Sequence, residues 1–159
     1  MFFVFSFFHS RFPVAACILR DSSNVDAEFV GHRREVTCAR FFPRILVVNS
    51  RRRCLMAIGS KDRTLSLWLT SPRQSMCVVN DLFANGILDM SWYLNELDST
   101  IVLAVCSPDG SCAFISLKKD EIGSPLTTEE MYKFYSDMYK VNLTLPMKKI
   151  TNGFVIFGR

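Results

Sequence analysis

The sequence predicts an all-β chain: two consecutive units of about four strands each, followed by a short helix near the C-terminal end. Three observations carry this. Apolar, β-branched runs of strand length recur between turn signals. A skeleton of Gly31-His32, Ser60-Lys61-Asp62 and Trp68 brackets the first set of runs. Part of that skeleton returns 47 residues later, Ser60 over Ser107 and Asp62 over Asp109, with Ala57 over Ala104 between them.

In chain order, residues 1–17 form an irregular, Phe-rich stretch, with Phe2, Phe3, Phe5 and Phe7 among the 14 phenylalanines. Its apolar block is too short for a membrane-spanning helix. A signal peptide is a weak match, because no positive charge precedes the block and His9-Ser10-Arg11 interrupts it. A segment foreign to the domain fits better. Pro13 to Leu19 reads as a short strand and Asp21 to Asn24 as a turn. Val36 to Phe41 alternates and begins β-branched, so it reads as a strand that Phe42-Pro43 ends, since proline cannot donate to a ladder. Ile45 to Arg53 reads as a long loop closing in Arg51-Arg52-Arg53. Cys54 to Ser60 is a continuous apolar run, as in a strand covered on both faces. Lys61-Asp62-Arg63 is a tight turn. Thr64 to Leu69 is the next strand, with Thr64, Ser66 and Trp68 on one face and Leu65, Leu67 and Leu69 on the other. Met76 to Val79 is an outer strand.

The second unit repeats this order. Ile87 to Trp92 lies over Val36 to Phe41, Val102 to Asp109 over Leu55 to Asp62, and Ser111 to Ile115 over Thr64 to Trp68. Leu82-Phe83 stands where the first unit has Gly-His, and Trp92 and Phe114 are expected in the core. Beyond Leu117 a charged linker leads to a helix that starts at Thr127, with Glu130 completing a capping box. The aromatics Tyr132, Phe134, Tyr135 and Tyr139 follow, and the tail to Arg159 shows no period. Asn142-Leu143-Thr144 matches a glycosylation sequon by pattern alone.

The first unit's skeleton and its 47-residue recurrence are similar to the WD40 repeat, one blade of a β-propeller with a period of about 40–45 residues. The expected fold is thus a partial WD40 β-propeller with two recognisable blades (residues 18–117, about 28–80 and 81–117), then residues 118–159 as charged linker, helix and irregular tail. In such a blade Asp62 holds His32, His32 contacts the strand serine, read as Ser60, and that serine reaches the Trp68 indole N–H. Each buried polar group then has a partner. Ser107 and Asp109 are the second-blade equivalents. Ser, His and Asp also compose catalytic triads, but a triad is a matter of geometry, so a structural network is the expectation and no enzyme activity is read.

The remaining totals exclude several classes. A net charge of +4 on 159 residues, without interleaved aromatics, does not describe a nucleic-acid groove. The six cysteines contain no C-x-x-C pair, so no zinc site is expected. Most lie in apolar runs, so reduced thiols and an intracellular home are expected. No phosphate loop or metal cluster stands out. Hence no cofactor, small-molecule substrate or membrane is implied.

Phe29-Val30-Gly31-His32-Arg33, Val36-Thr37 and Gly59 to Thr70 resemble the late blades of the HIRA-type (histone regulator A, Hir) histone chaperones. Asp81-Leu82-Phe83, Leu88 to Trp92, Cys106 to Phe114 and Asp120 to Leu126 continue the likeness, which covers about Ile18 to Leu143. Trp68-Leu69-Thr70 is the distinguishing piece, because generic WD40 repeats carry Asp after the Trp. The resemblance implies a nuclear protein-interaction module in replication-independent nucleosome assembly and transcriptional regulation. It also implies handling of histones H3–H4, a propeller of about seven blades contacting an ubinuclein-type subunit, and a downstream segment for an anti-silencing-factor-type chaperone. No partner site transfers to individual residues, and Met147 to Arg159 matches nothing in that downstream segment. Two blades alone leave apolar flanks uncovered, so the chain reads as a fragment covering the last blades. Alternatives are a WD40 scaffold of an unrelated complex and a small secreted protein.

Overall fold

The computed structural model describes the backbone of residues 3–9, 12–21, 24–70, 75–143, 148–151 and 154–157, and the side chains of Phe29, 31–70 and 75–143. It divides into two units, Met1–Ser124 and Pro125–Arg159.

Among the described residues the first unit contains three antiparallel sheets. β1 (Phe3–His9), β2 (Phe12–Asp21) and β3 (Asn24–Val30) form the first, in chain order. Of the Phe-rich stretch expected to be irregular, residues 3–9 and 12–17 thus have strand backbone, as their aromatic and β-branched composition favours. The signal-peptide reading concerns side chains outside the described residues. β4 (Val36–Val48), β5 (Arg51–Ser60), β6 (Leu65–Leu69) and β7 (Cys77–Val79) form the second sheet, again in chain order. β8 (Asp89–Leu94), β9 (Ile101–Cys106) and β10 (Cys112–Leu117) form the third. A short helix α1 (Lys119–Ile122) follows where a linker was expected, because Ile122 is fully buried. The two-residue strand β11 (Ser124–Pro125), where the unit ends, lies on the free edge of β4.

The middle sheet is buried on both faces, which explains the unbroken apolar run in β5. Leu55, Ala57, Leu65 and Leu67 join one core with Met90, Ile101, Leu103 and Val105 of the third sheet. Met56, Ile58 and Trp68 point the other way, into a second core with Phe29 of β3. The Phe29 and Trp68 rings meet edge to face at 5.0 Å. Leu55, Met56, Ala57 and Ile58 are all completely buried, and the larger side chains among them each contribute about 1.5–3 kcal/mol.

Two expectations about β4 need correction. The strand does not end at Phe42-Pro43. It bulges there, with Phe42, Pro43 and Arg44 opposite Leu55 alone, and then resumes pairing at Ile45↔Cys54. A bulge is where a strand tolerates proline, and continuing buries Phe42, Ile45 and Leu46. Likewise, Ile45 to Arg53 is not a loop. It is the end of a long hairpin closed at Asn49-Ser50, whose φ values of 47° and 61° are those of a tight two-residue turn. The three arginines therefore sit on a strand.

The bulge aims side chains at the third sheet. Phe42 meets Trp92 edge to face at 5.5 Å, and the Trp92 indole N–H donates to the Arg40 carbonyl at 2.9 Å. Arg40 pairs with Asp89 at 2.7 Å and Arg44 with Glu96 at 2.6 Å. Backbones also approach closely: a Cβ on Gly59 would stand 2.5 Å from Ile87 Cγ2. Trp92, expected in the core, is half-buried and packs against its edge, whereas Phe114 does not. It is 76% exposed, on the face of the third sheet that no sheet covers among the described residues.

In the second unit, α2 (Thr128–Tyr139) starts from the expected capping box. The Glu130 N–H donates to Thr127 Oγ1 at 3.2 Å and the Thr127 N–H to Glu130 Oε2 at 2.8 Å. Tyr135 and Tyr139 stack at 6.2 Å. β12 (Lys148–Thr151) and β13 (Phe154–Phe157) pair as a hairpin in the tail that showed no period. Among the described residues no helix is long and apolar enough to cross a membrane.

Candidate functional site

The site grows from the tight turn between β5 and β6. The turn needs an acceptor for its orphan N–H groups, and Asp62 supplies one: Thr64 N–H donates to Oδ1 at 3.0 Å. Its other oxygen accepts the Arg33 N–H at 2.6 Å, tying the segment before β4 to the turn. His32 is carried along, 4% exposed, with Nδ1 3.4 Å from Asp62 Oδ1. Its Nε2 lies 2.8 Å from Ser66 Oγ, and the Trp68 indole N–H donates to the same Oγ at 2.8 Å.

Proton bookkeeping orders this chain. The carboxylate can only accept, so the His32 proton belongs on Nδ1 and Nε2 accepts from the Ser66 hydroxyl. Burial pushes the His32 imidazole below its usual range, against the opposing pull of Asp62, so the ring is neutral at pH 7. Burial pushes the Asp62 carboxyl up. The Arg33 N–H, His32, the Thr64 N–H and the Ser60 contact outweigh it and hold the carboxyl below its ordinary value.

Three of the four expected residues, His32, Asp62 and Trp68, come together, but the linking serine is Ser66. On a strand, side chains two apart share a face, so Ser66 lies beside Trp68. Ser60 is fully buried at the end of β5, and its hydroxyl donates to the Arg34 carbonyl at 3.1 Å while accepting the Asp62 N–H at 3.2 Å. The face assignment of Thr64, Ser66 and Trp68 held the signal for Ser66.

Ser107 and Asp109 repeat the turn but not the link. Ser107 donates to the Gly86 carbonyl at 3.0 Å, as Ser60 does to Arg34, and Asp109 accepts the Ser111 N–H at 2.9 Å. That N–H comes first among the contacts that hold the Asp109 carboxyl below its usual value. Ala113 and Ile115 stand at the Ser66 and Trp68 positions and Phe83 near the His32 position, so no polar chain can form.

Asp62, His32 and Ser66 have the order of a catalytic triad. Chemically the arrangement is closed: Ser66 is 3% exposed, and its oxygen already accepts the indole N–H. A substrate carbonyl has no approach to it. Among the described residues no group of three or more His, Cys, Asp or Glu could hold a metal ion. The five described cysteines are free thiols; the Cys17 side chain lies outside the described residues.

No family model matches the chain. Individual relatives do. It is 38% identical over 142 residues to Protein HIRA of Gallus gallus, covering 84% of this chain and 14% of that protein. It is 36% identical over 138 residues to the Drosophila melanogaster Protein HIRA homolog, covering 82% and 13%. It is 32% identical over 120 residues to Protein HIR1 of Mycosarcoma maydis, covering 74% and 11%. The chain therefore spans only about 14% of the length of the vertebrate relatives it matches. With two adjacent WD40-type sheets and this run of identities, the chain is, over that segment, a homologue of the HIRA-type proteins.

Proposed function

We propose that the chain serves as a non-catalytic protein-interaction module of a nuclear histone chaperone. The proposed process is replication-independent nucleosome assembly and transcriptional regulation. In this reading residues 28–80 and 81–117 act as two propeller blades, and Asp62, His32, Ser66 and Trp68 serve as the structural lock of the first. Histones H3–H4, an ubinuclein-type subunit and an anti-silencing-factor-type chaperone are the partners of the assembly.

The observation that carries this reading is the 142-residue likeness to Protein HIRA. The closed geometry of the lock supports it, since Ser66 is spent on indole and imidazole rather than offered to a substrate. The test is co-precipitation of the tagged chain with a purified ubinuclein-type subunit and with H3–H4, alongside a thermal melt. A cooperative melt with capture of the ubinuclein-type subunit supports the proposal. A cooperative melt with capture of neither protein overturns it.

A further inference from the structure

The third sheet brings two cysteines face to face. In the β9–β10 hairpin Cys106 pairs directly with Cys112. The neighbouring pair, Ser107 and Ser111, is the hydrogen-bonded one, with Ser107 N–H donating to the Ser111 carbonyl at 3.0 Å. Pairs alternate along an antiparallel ladder, so Cys106 and Cys112 occupy a non-hydrogen-bonded position. There Cα atoms stand about 4.5 Å apart and side chains are closest. That spacing falls at the short end of the range of about 4.4–6.8 Å that a disulfide spans. No other described cysteine has this placement: Cys38 faces Gly59, Cys54 faces Ile45 and Cys77 faces Leu67.

The surroundings make the pair reactive rather than structural. Cys112 is exposed and Cys106 half-buried. Both line a shallow cavity of about 170 Å³ with Asp89, Met90, Ser91 and Phe114. In the reduced state the Cys106 thiol donates to the Asp89 carbonyl of β8 at 3.4 Å, on the side away from β10, so it gives up that contact and turns about its Cα–Cβ bond to meet Cys112. The turn that sets the register is stiff. Gly110 takes its left-handed φ of 86°, its N–H donates to the Ser107 carbonyl, and Asp109 accepts from Ser111. Burial raises the Cys38 and Cys54 thiols above their usual range, leaving them less thiolate at neutral pH and slower to react.

The geometry points to Cys106 and Cys112 as a dithiol modification site that takes two electrons' worth of oxidation from a peroxide. One thiolate attacks the peroxide oxygen, giving a sulfenic acid and releasing water. The second thiolate attacks that sulfur, forms the S–S bond and expels the oxygen as a second water. In sum, two thiols and one hydrogen peroxide give one disulfide and two waters. A low-molecular-weight thiol reverses the step by exchange, two of its thiols becoming one disulfide. The bond staples β10, an edge strand of its sheet, to β9.

The test oxidises the chain with a small molar excess of hydrogen peroxide, quenches by alkylation and maps the products by mass spectrometry. Cleavage before Asp109 separates the two cysteines, so a linked peptide pair reports the bond. The native chain should form this link at least about ten-fold faster than the urea-unfolded chain, because the register holds the sulfurs in range. Cys106→Ser and Cys112→Ser should each abolish it, and Cys77→Ser should leave it unchanged. A native rate no faster than that in urea overturns the assignment. So does capture of Cys77 or of a second molecule before Cys112.

Discussion

Replacing Ser66 with alanine tests the lock at its centre. The hydroxyl holds two buried groups, the Trp68 indole N–H and His32 Nε2, each at 2.8 Å. Both lose their partner in Ser66→Ala. A buried polar group left without a partner costs about 1–3 kcal/mol, so the variant should lose about 2–4 kcal/mol once slight relaxation of the imidazole is allowed. The assay is urea unfolding followed by circular dichroism, which does not depend on the tryptophans. A double-mutant cycle sharpens it. Trp68→Phe deletes the indole donor, so Ser66→Ala and Trp68→Phe should couple by about 1 kcal/mol. Ser60→Ala and Trp68→Phe share no partner and should add within about 0.5 kcal/mol. A Ser66→Ala variant as stable as the parent, or coupling of Trp68 to Ser60 instead of Ser66, would refute the reasoning.

The same network predicts a pH response. The folded pKa of His32 lies below its usual 6.5, so the unfolded chain binds more protons. The stability it contributes is complete above that value and is lost as pH falls toward its folded pKa. Asp62, also lowered from 3.8, adds a second loss at more acidic pH, as it falls toward its own folded pKa. Urea midpoints measured from pH 8 to pH 4 should therefore decline below about pH 6.5, and His32→Gln should flatten that first decline. Gly59→Ala should destabilise by about 1–3 kcal/mol through its clash with Ile87 Cγ2, and adding Ile87→Ala should cost less than its effect alone, read from the same midpoints. Thr127→Ala should remove the cap of α2 at about 0.5–2 kcal/mol, seen as reduced helical circular dichroism, while Glu130→Gln retains most of the signal.

Much of this fold was legible because its signals are local. The doubly covered β5 shows as an unbroken apolar run, the two faces of β6 as alternation, and the α2 start as Thr and Glu three apart. What sequence reading missed depends on neighbours in space. Pro43 reads as a strand end only until Phe42 and Arg44 are seen to have targets in the next sheet, Trp92 and Glu96. Phe114 reads as core because strand aromatics usually are, yet its face meets no sheet among the described residues. Ser60 and Ser66 are both strand serines near the motif. Only the pleat decides which of them lies beside the indole. The Asn152-Gly153 pair between two β-branched runs is a strong hairpin signal, and the absence of a longer period obscured it.

The lock does more than close its own sheet. The turn that Asp62 organises is also the seat of the loop leading into β8. Leu82 N–H donates to the Arg63 carbonyl at 3.1 Å and Ile87 N–H to the Ser60 carbonyl at 3.0 Å. Arg63 pairs with Asp81 at 2.5 Å, and Gly86 lies so close to Lys61 that a Cβ would meet its Cα at 2.8 Å. The third sheet has no polar chain of its own at the corresponding place, where Phe83, Ala113 and Ile115 stand. Its lead-in segment is held instead by backbone groups of the preceding turn, with the Arg63–Asp81 pair and the Ser107 hydroxyl on the Gly86 carbonyl added. A polar lock in one sheet can thus hold two in register. This explains why the third sheet can lack the His, the linking Ser and the Trp of the motif and still keep Ser107 and Asp109, the residues that shape its turn.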